Sequence, residues 1–470
     1  MSLQFAKNDT VTIDITGFGN DGEGIGHADG YTLFVAGAVP GDSLRAKILK
    51  ANKYYGFARI EEILKPSPDR EAPVCPVFKK CGGCSLLHIN YASELKYKET
   101  KVRECVERIG GFAPGSYSFH PIIGMNDGSI RPLNFRNKAQ FPVGRNSDGE
   151  LAAGFFAKRS HRIIPIDSCP VEAPVTAFLL KGLIRFCNDF HILPYDESTG
   201  RGLLRHLMTR CGFTTGEVGV CLVINGRKLP NSSEFVEYMK AAVASYKEAS
   251  NTTLKLTSVT LNVNTDKTNV IMGSRLITLF GNPYITDNIG KYKFNISPLS
   301  FFQVNPEETV RLYNKALEFA ELKGFETVWD LYCGIGTISL FLSSHAKEVY
   351  GVEIVPEAIE NAKENARLND ISNVHFSVGA AENVAESLPR PDVIVVDPPR
   401  KGCDARLIST MIKYKPKRLV YVSCDPATLA RDLRLLCDAD SGCFKLTDVQ
   451  AVDQFSGSPH VETVARLELV

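Results

Sequence analysis

Along the last third of the chain, short apolar runs alternate with stretches whose apolar residues recur at helical spacing. Residues 327–331, 348–352, 374–378, 393–396 and 418–423 have the length and β-branched content of buried strands. Such alternation predicts a parallel, doubly wound α/β sheet. Ahead of it, Asn305-Pro306-Glu307-Glu308 reads as a helix start, the helix running to about Leu322. Asn305 is the N-cap, Pro306 opens the first turn, and Glu308 is positioned to close a capping box. At the other end of the chain, residues 11–15 alternate apolar and polar as a half-buried strand does. Residues 17–26 hold five glycines and predict tight turns; further strands fit 31–35, 43–49 and 56–64, with Pro40-Gly41-Asp42 as a turn. A succession of short strands in about sixty residues predicts a barrel of the oligonucleotide-binding type. Pro66, Pro68 and Pro73 then mark a linker. Residues 91–109 have helical period and many charges, and 130–290 read as mixed, with strands at 218–224 and 259–263 and a helix near 233–245.

Composition narrows the class. At 470 residues the chain exceeds one compact core, and roughly two to four domains are expected. It is 44% hydrophobic and 23% charged, as folded soluble chains are. No apolar run approaches the roughly 18 residues of a membrane span, and Met1-Ser2-Leu3-Gln4-Phe5-Ala6-Lys7 lacks a signal-peptide core. A cytoplasmic protein with no membrane partner is the expectation. The net charge of +1 hides a basic stretch: Arg131, Arg136, Lys138, Arg145, Lys158, Arg159 and Arg162 stand against only Asp148 and Glu150. That excess suits a polyanion such as nucleic acid, and equally a solvated face.

The candidate chemistry lies at strand ends, where open α/β sheets bind ligands. The first of the C-terminal strands runs into Asp330-Leu331-Tyr332-Cys333-Gly334-Ile335-Gly336-Thr337, and the second ends in Gly351-Val352-Glu353. The fourth runs into Asp397-Pro398-Pro399-Arg400 and the fifth into Cys424. The glycines let the backbone turn under a ligand, and Glu353 is placed to bind ribose hydroxyls. Ser339 occupies the third small position of a dinucleotide fingerprint, and no hydride-transfer site accompanies it, so S-adenosylmethionine fits better than NAD. Cys333 and Cys424 compete as nucleophile; Cys333 sits inside the cofactor turn, where small size explains it, whereas Cys424 projects into the crevice. A methyl donor beside a thiolate points to addition at carbon 6 of a uracil, methylation at carbon 5 and removal of the carbon 5 proton, with the base out of its stack. His460 and Glu462, at the end of a turn-rich loop, both qualify as the base that takes that proton. Separately, Cys75, Cys81 and Cys84, set among glycines and lysines, read as ligands of a metal centre rather than core residues, with Cys169 as a fourth. The irregular spacing and distant fourth ligand favour a 4Fe-4S cluster over zinc.

These motifs, in this order, resemble the RNA uracil-5-methyltransferase family, in the branch that modifies 23S rRNA. The resemblance covers nearly the whole chain. It is carried by the N-terminal barrel, which resembles a TRAM domain, the Cys75/Cys81/Cys84 cluster, and Ser297-Pro298-Leu299-Ser300-Phe301-Phe302-Gln303-Val304-Asn305. It continues through Asp330 to Gly334, Asp397 to Arg400, Cys424 with Thr428-Leu429-Ala430-Arg431-Asp432, and His460-Val461-Glu462. The resemblance implies Cys424 as nucleophile and Glu462 as proton acceptor. Gln303, Tyr332, Glu353 and Asp397 would bind S-adenosylmethionine, and Cys75, Cys81, Cys84 and Cys169 a structural 4Fe-4S cluster. It implies a TRAM domain over 3–64, a central RNA-binding domain over 65–92 and 125–285 carrying the cluster, and a Rossmann-like methyltransferase domain over 93–124 and 286–470. The expected partner is RNA, 23S rRNA first, with no obligate protein partner and a monomer as default. Three positions depart from the family. Asp425 stands where Asn is common, and its charge is expected to raise the neighbouring thiol pKa. Ser456 and Ser458 replace the usual Pro and Thr, and Thr337 replaces Asn. The alternatives are a transfer-RNA uracil enzyme, an RNA cytosine-5-methyltransferase, and a non-catalytic RNA-binding assembly factor, which would need neither Cys424 nor Glu462.

Overall fold

The computed structural model describes residues 5–126, 128–438 and 442–470. Residues 3 and 4, the expected start of the first domain, and Met1 to Gln4 of the leader reading lie outside the described residues.

Strands β1 (Thr10–Phe18), β2 (Gly24–Ala28), β3 (Tyr31–Ala36), β4 (Ser43–Ala51) and β5 (Tyr55–Lys65) close into a barrel in the order β1-β2-β3-β5-β4. Leu33, Val35, Leu44 and Ile48 fill it and are wholly buried. The stretch expected to be all turn contains β2. A side chain at Gly24 would strike Ile15 and Ala38, and one at Gly26 the carbonyl of Asp14. These glycines are there for close strand packing, not for turning.

Helix α1 (Tyr91–Glu104) follows, ending in a wider π-type turn over Cys105–Ile109, and then β6 (Ser118–Ile123). The central region is a seven-stranded sheet of β7 (Lys138–Arg145), β8 (Leu151–Phe156), β9 (Ile163–Pro165), β10 (Leu204–Cys211), β11 (Glu217–Ile224), β12 (Lys255–Val263) and β13 (Arg275–Gly281). Helices α2 (Val175–Asp189) and α3 (Ser232–Ser250) bury Leu179, Phe186, Phe235 and Met239 in its core.

After the hairpin β14 (Ile285–Ile289) and β15 (Tyr292–Ile296) comes α4 (Pro306–Ala320). Asn305 caps it by accepting from the Glu308 amide at 3.3 Å. The capping box is not closed: Glu308 turns to Arg311, 3.0 Å away. The remaining elements are β16 (Thr327–Leu331), α5 (Thr337–Ser343), β17 (Glu348–Glu353), α6 (Pro356–Leu368), β18 (Val374–Val378), α7 (Ala381–Val384), β19 (Val393–Val396), α8 (Ala405–Tyr414), β20 (Arg418–Ser423), α9 (Pro426–Leu436), β21 (Phe444–Val452) and β22 (Glu462–Leu469). The sheet order is β18-β17-β16-β19-β20-β22-β21-β6. Five strands are parallel, as the alternation predicted; β22 runs antiparallel beside β20, and β21 and β6, parallel to each other, complete the sheet. From β16 the chain builds outward one way to β18 and then the other way through β19, so the switch point lies between β16 and β19. Among the described residues, no helix is long and apolar enough to cross a membrane.

Candidate active site

Strand β20 is buried up to Ser423 and delivers Cys424 to its carboxyl end. Strand β22 runs back beside it, and Ser423 pairs with Thr463. Continued by one residue, that register brings Cys424 towards Glu462, whose carboxylate acts on the thiol. Glu462 is only 3% exposed. Burial raises its carboxyl to about 8, with Asp397 adding to the rise and Arg400 opposing it. Burial likewise raises the Cys424 thiol to about 11, again with Glu462 and Asp397 pushing up and Arg400 pulling down. The resting site therefore favours a protonated pair. His460, two residues upstream, is exposed, and its imidazole is lowered to about 4 by desolvation and by Arg400, Lys101 and Lys98.

Asp425 is the N-cap of α9, its Oδ1 accepting from the amides of Ala427 and Thr428 at 3.0 Å each. Adjacency in sequence does not make Asp425 one of the main charges on the thiol, contrary to expectation. The carboxylates that act on Cys424 are Glu462 and Asp397, while Asp425 is turned to the helix terminus, where a negative charge is favourable. An asparagine caps through the same oxygen, so the two residues do one structural job.

The other strand ends converge on the switch point. Tyr332 follows β16 with φ of 67°, a conformation that bulky residues resist, and its amide donates to the Val352 carbonyl at 3.0 Å. Gly334 has φ of 55°, and a side chain there would meet nothing within 4 Å, so the turn leaves open space above it. Cys333 is buried beneath this turn against Gly351, its thiol pushed well above the ordinary range. Asp330 is wholly buried and takes the Ser339 hydroxyl, which gives the ambiguous third position of the fingerprint a structural use. Burial raises Asp330 to about 7 despite that bond, and desolvation with Asp330 nearby raises Asp397 to about 7. Glu353 closes β17 and accepts from the Val355 amide at 3.0 Å. Gln303 lies buried just ahead of α4, its carbonyl taking the Asn137 side-chain amide. Glu353, Asp397 and Glu462 thus bring three carboxyl groups to these strand ends, with Asp330 buried beneath the turn.

Two frameworks hold these groups. Helix α9 clamps the loop after Asp397: Asp432 accepts from the Cys403 amide (2.8 Å) and the Tyr421 hydroxyl (2.6 Å), Thr428 donates to the Arg400 carbonyl, and Arg431 to that of Lys401. Helix α1 holds the loop leading to Glu462. Lys98, wholly buried, donates to Glu94 at 2.7 Å, to Asp453 at 2.6 Å and to the Phe455 carbonyl. Burial alone would lower the lysine, but Asp453 and Glu94 outweigh it and hold it above its ordinary value. Tyr91 adds a bond to Asp453, Arg131 pairs with Glu94, and Gly457 donates to Glu94. Lys101 ties the same loop to the barrel, donating to the carbonyls of Pro459 and Asn20.

Two groups near the site carried no individual role in the sequence reading. Arg400 is the cation acting on both Cys424 and Glu462, and its position three residues after Asp397 was the available signal. Phe301 is 72% exposed, an aromatic face left bare two residues before Gln303.

Cys75, Cys81, Cys84 and Cys169 line one cavity of about 170 Å³ walled by Phe78, Phe135 and Phe155. Burial raises Cys84 to about 12, and the other three sulfurs each add to the rise. The Gly83 amide donates to Cys81 Sγ at 3.3 Å. No three or more His, Cys, Asp or Glu side chains among the described residues are placed to hold a metal ion. Ser456 and Ser458 also line this cavity, so the loop to Glu462 borders it.

Comparisons with known proteins agree with this layout. Residues 247–469 match the family model described as tRNA (Uracil-5-)-methyltransferase, and residues 4–60 match the TRAM domain. An uncharacterized RNA methyltransferase of Halalkalibacterium halodurans is 48% identical over 98% of both chains. Another from Clostridium acetobutylicum is 45% identical over 99% of this chain and 98% of its own. Among solved structures, the Pyrococcus abyssi tRNA (uracil-54, C5)-methyltransferase in complex with S-adenosyl-L-homocysteine is 27% identical, covers 97% of this chain and all of its own, and has a TM-score of 0.75.

Proposed function

This chain belongs to the RNA uracil-5-methyltransferase family, S-adenosylmethionine-dependent enzymes, and on that premise we propose that it methylates uridine in 23S rRNA through a covalent adduct on Cys424. The observation that carries the reading is the Cys424–Glu462 pair at neighbouring strand ends, with Asp397 and Arg400 acting on both groups. S-adenosylmethionine supplies the methyl group, and its positive sulfonium would favour the ionised form of the carboxyls at these strand ends. Gln303, Tyr332, Glu353 and Asp397 are the residues proposed to hold it.

The Cys424 thiolate bonds to carbon 6 of the uracil, and the electron pair of the C5–C6 double bond moves into the enolate. Carbon 5 then takes the methyl group as the sulfur–methyl bond of S-adenosylmethionine breaks, leaving S-adenosylhomocysteine. Glu462, as carboxylate, removes the proton on carbon 5; the C6–S bond breaks and the thiolate is released. Glu462 is chosen over His460 because it is buried beside the thiol and its raised carboxyl titrates near neutral pH. Arg400 favours the anionic form of both groups. The base must be extruded from its stack to present carbons 5 and 6, and the exposed ring of Phe301 offers a stacking face.

The four-cysteine cavity is read as the site of a 4Fe-4S cluster. Four sulfurs lining one cavity, aromatic walls and a backbone amide directed at sulfur support that reading, and the sulfurs would have to draw together to ligate the cluster. A bound cluster would brace the cysteine loop against the loop to Glu462, a structural role.

23S rRNA is proposed first on the resemblance of the sequence motifs to that branch of the family. Transfer RNA is the second reading, favoured by the likeness to the Pyrococcus abyssi tRNA enzyme. Nucleoside analysis after incubation with S-adenosylmethionine and transcripts of each RNA decides between them. 5-Methyluridine in 23S rRNA is expected; its appearance only in tRNA selects the second reading. 5-Methylcytidine instead would make the enzyme a cytosine methyltransferase, and binding without modification would make it an assembly factor.

A further inference from the structure

The basic stretch 131–162 divides into two parts in the fold. Arg131 is consumed by Glu94, Arg136 pairs with Glu172, and Lys138 is largely buried, its ammonium lowered to about 8 by desolvation and by Arg210 and Arg136. Arg145, Lys158, Arg159 and Arg162 are exposed at the β7–β8 and β8–β9 turns. Beneath them lies a cavity of about 410 Å³, lined among others by Arg145, Phe156, His161, Tyr195, Arg205 and His206. The active-site residues do not line it.

Its walls are built for a flat ring. Phe156 and His161 stack at 4.9 Å with 16° between their planes. The Arg205 guanidinium lies over one face of Tyr195, 4.7 Å from the ring centre. Arg205 is only 6% exposed, and its plane is fixed by bonds donated to the carbonyls of Asn264 and Asp266, both at 2.9 Å, and of Thr268. Its Nε, however, is buried without a partner, as is Nδ1 of His206. Buried polar atoms are paired in nearly all folded proteins, so two orphans on one cavity mark a place where a ligand completes the set. The acids nearby are already engaged: Glu197 with His161 at 2.7 Å, and Asp196 with its own turn at Ser198.

We propose that this cavity is an accessory site for one unpaired nucleobase of the RNA substrate, stacked on Tyr195 or His161 and hydrogen-bonded by Arg205 and His206. Bases splayed from single-stranded RNA are held in this way, on aromatic rings and guanidinium planes with polar groups reading their edges. The exposed guanidinium groups of Arg145 and Arg162 at the rim are placed for the flanking phosphates. The cavity has the volume of a small-ligand site. The proposal rests on the reading of the chain as an RNA methyltransferase and adds a second, non-reacting contact.

The test uses the full-length protein and transcripts of 23S rRNA and tRNA carrying 4-thiouridine for crosslinking and, in parallel, 5-fluorouridine for trapping an adduct. Near-ultraviolet irradiation and peptide mass spectrometry should find crosslinks in peptides spanning 155–163 or 194–206. Tyr195→Ala, checked for unchanged circular dichroism and melting, should lose those crosslinks and bind the transcript roughly tenfold more weakly. His161→Ala supplies a second, exposed variant with the same expected direction. A fluorouridine adduct on Cys424 without crosslinks in these peptides would overturn the accessory site and leave the enzymatic reading intact. Absence of both from every transcript would overturn both. Capture of a peptide in place of RNA would likewise overturn it.

Discussion

Cys424 and Glu462 lie at the ends of antiparallel neighbours, one residue past the Ser423–Thr463 pair, and the Glu462 carboxylate opposes ionisation of the thiol. A prediction follows for the thiol alone. Glu462→Gln removes a carboxylate that raises it, so the pH midpoint for alkylation of Cys424 by iodoacetamide should move down from the region of 11. A midpoint that stays or rises would separate the two side chains. With RNA and S-adenosylmethionine, the same variant should form the thiol adduct but fail to resolve it, leaving a slow-migrating covalent complex on a denaturing gel.

The same substitution should change stability with a defined sign. The Glu462 carboxyl titrates at about 8 in the folded chain and near 4.5 when unfolded. Between these values the folded state keeps a proton that the unfolded state has lost, so stability falls as pH rises through that window. Glu462→Gln removes this loss. The variant should melt above wild type at about pH 9 and with wild type at about pH 4. The opposite ordering would contradict the burial argument.

Asp425 tests whether its charge or its cap matters. Asp425→Asn keeps the acceptor for Ala427 and Thr428 and should leave thiol reactivity and methyl transfer within a few-fold of wild type. Asp425→Ala removes the cap, costs about 1 kcal/mol of stability, and should slow transfer by displacing Cys424. A strong effect of the asparagine on the alkylation midpoint would restore the charge as the important feature.

The ion cluster around Lys98 fixes the loop before Glu462. Lys98→Met leaves Glu94 and Asp453 buried beside fewer partners, and a loss of about 3–5 kcal/mol in urea unfolding is expected. Because Tyr91 and Arg131 still hold the two acids, the fold should survive, with kcat lowered more than S-adenosylmethionine affinity. Equal loss in both would place the effect in the fold as a whole.

What the sequence made legible follows physical periodicity. The five parallel strands announce themselves because buried β-runs alternate with helices, and their carboxyl ends bring Asp330, Glu353, Asp397 and Cys424 to one switch point without further information. Strand β2 was hidden because Gly24 and Gly26 read locally as turn residues, whereas their neighbours Ile15 and Ala38 come from elsewhere in the barrel. The role of Asp425 was misread for a similar reason: adjacency in sequence suggested a charge on the thiol, and only helix geometry shows where the carboxylate points. The Lys98–Asp453 contact joins residues 355 apart and no local pattern signals it. The basic stretch looked uniform as sequence, yet Arg131 and Arg136 are structural and Arg145 and Arg162 are exposed.

Spectroscopy tests the cysteine cavity. Protein purified without oxygen should show the broad visible absorbance of an Fe–S cluster, with iron and sulfide in equal amounts, and Cys169→Ala should lose both. Zinc in place of iron would overturn the cluster.

The most direct measurement counts hydrogen leaving carbon 5. RNA with tritium at uracil carbon 5 is incubated with S-adenosylmethionine, and released tritium is compared with methyl groups incorporated. One tritium released per methyl transferred, with neither event in Cys424→Ala and S-adenosylmethionine still bound by that variant, is the predicted result. Methyl transfer without tritium release, or by the Cys424→Ala variant, would contradict the account.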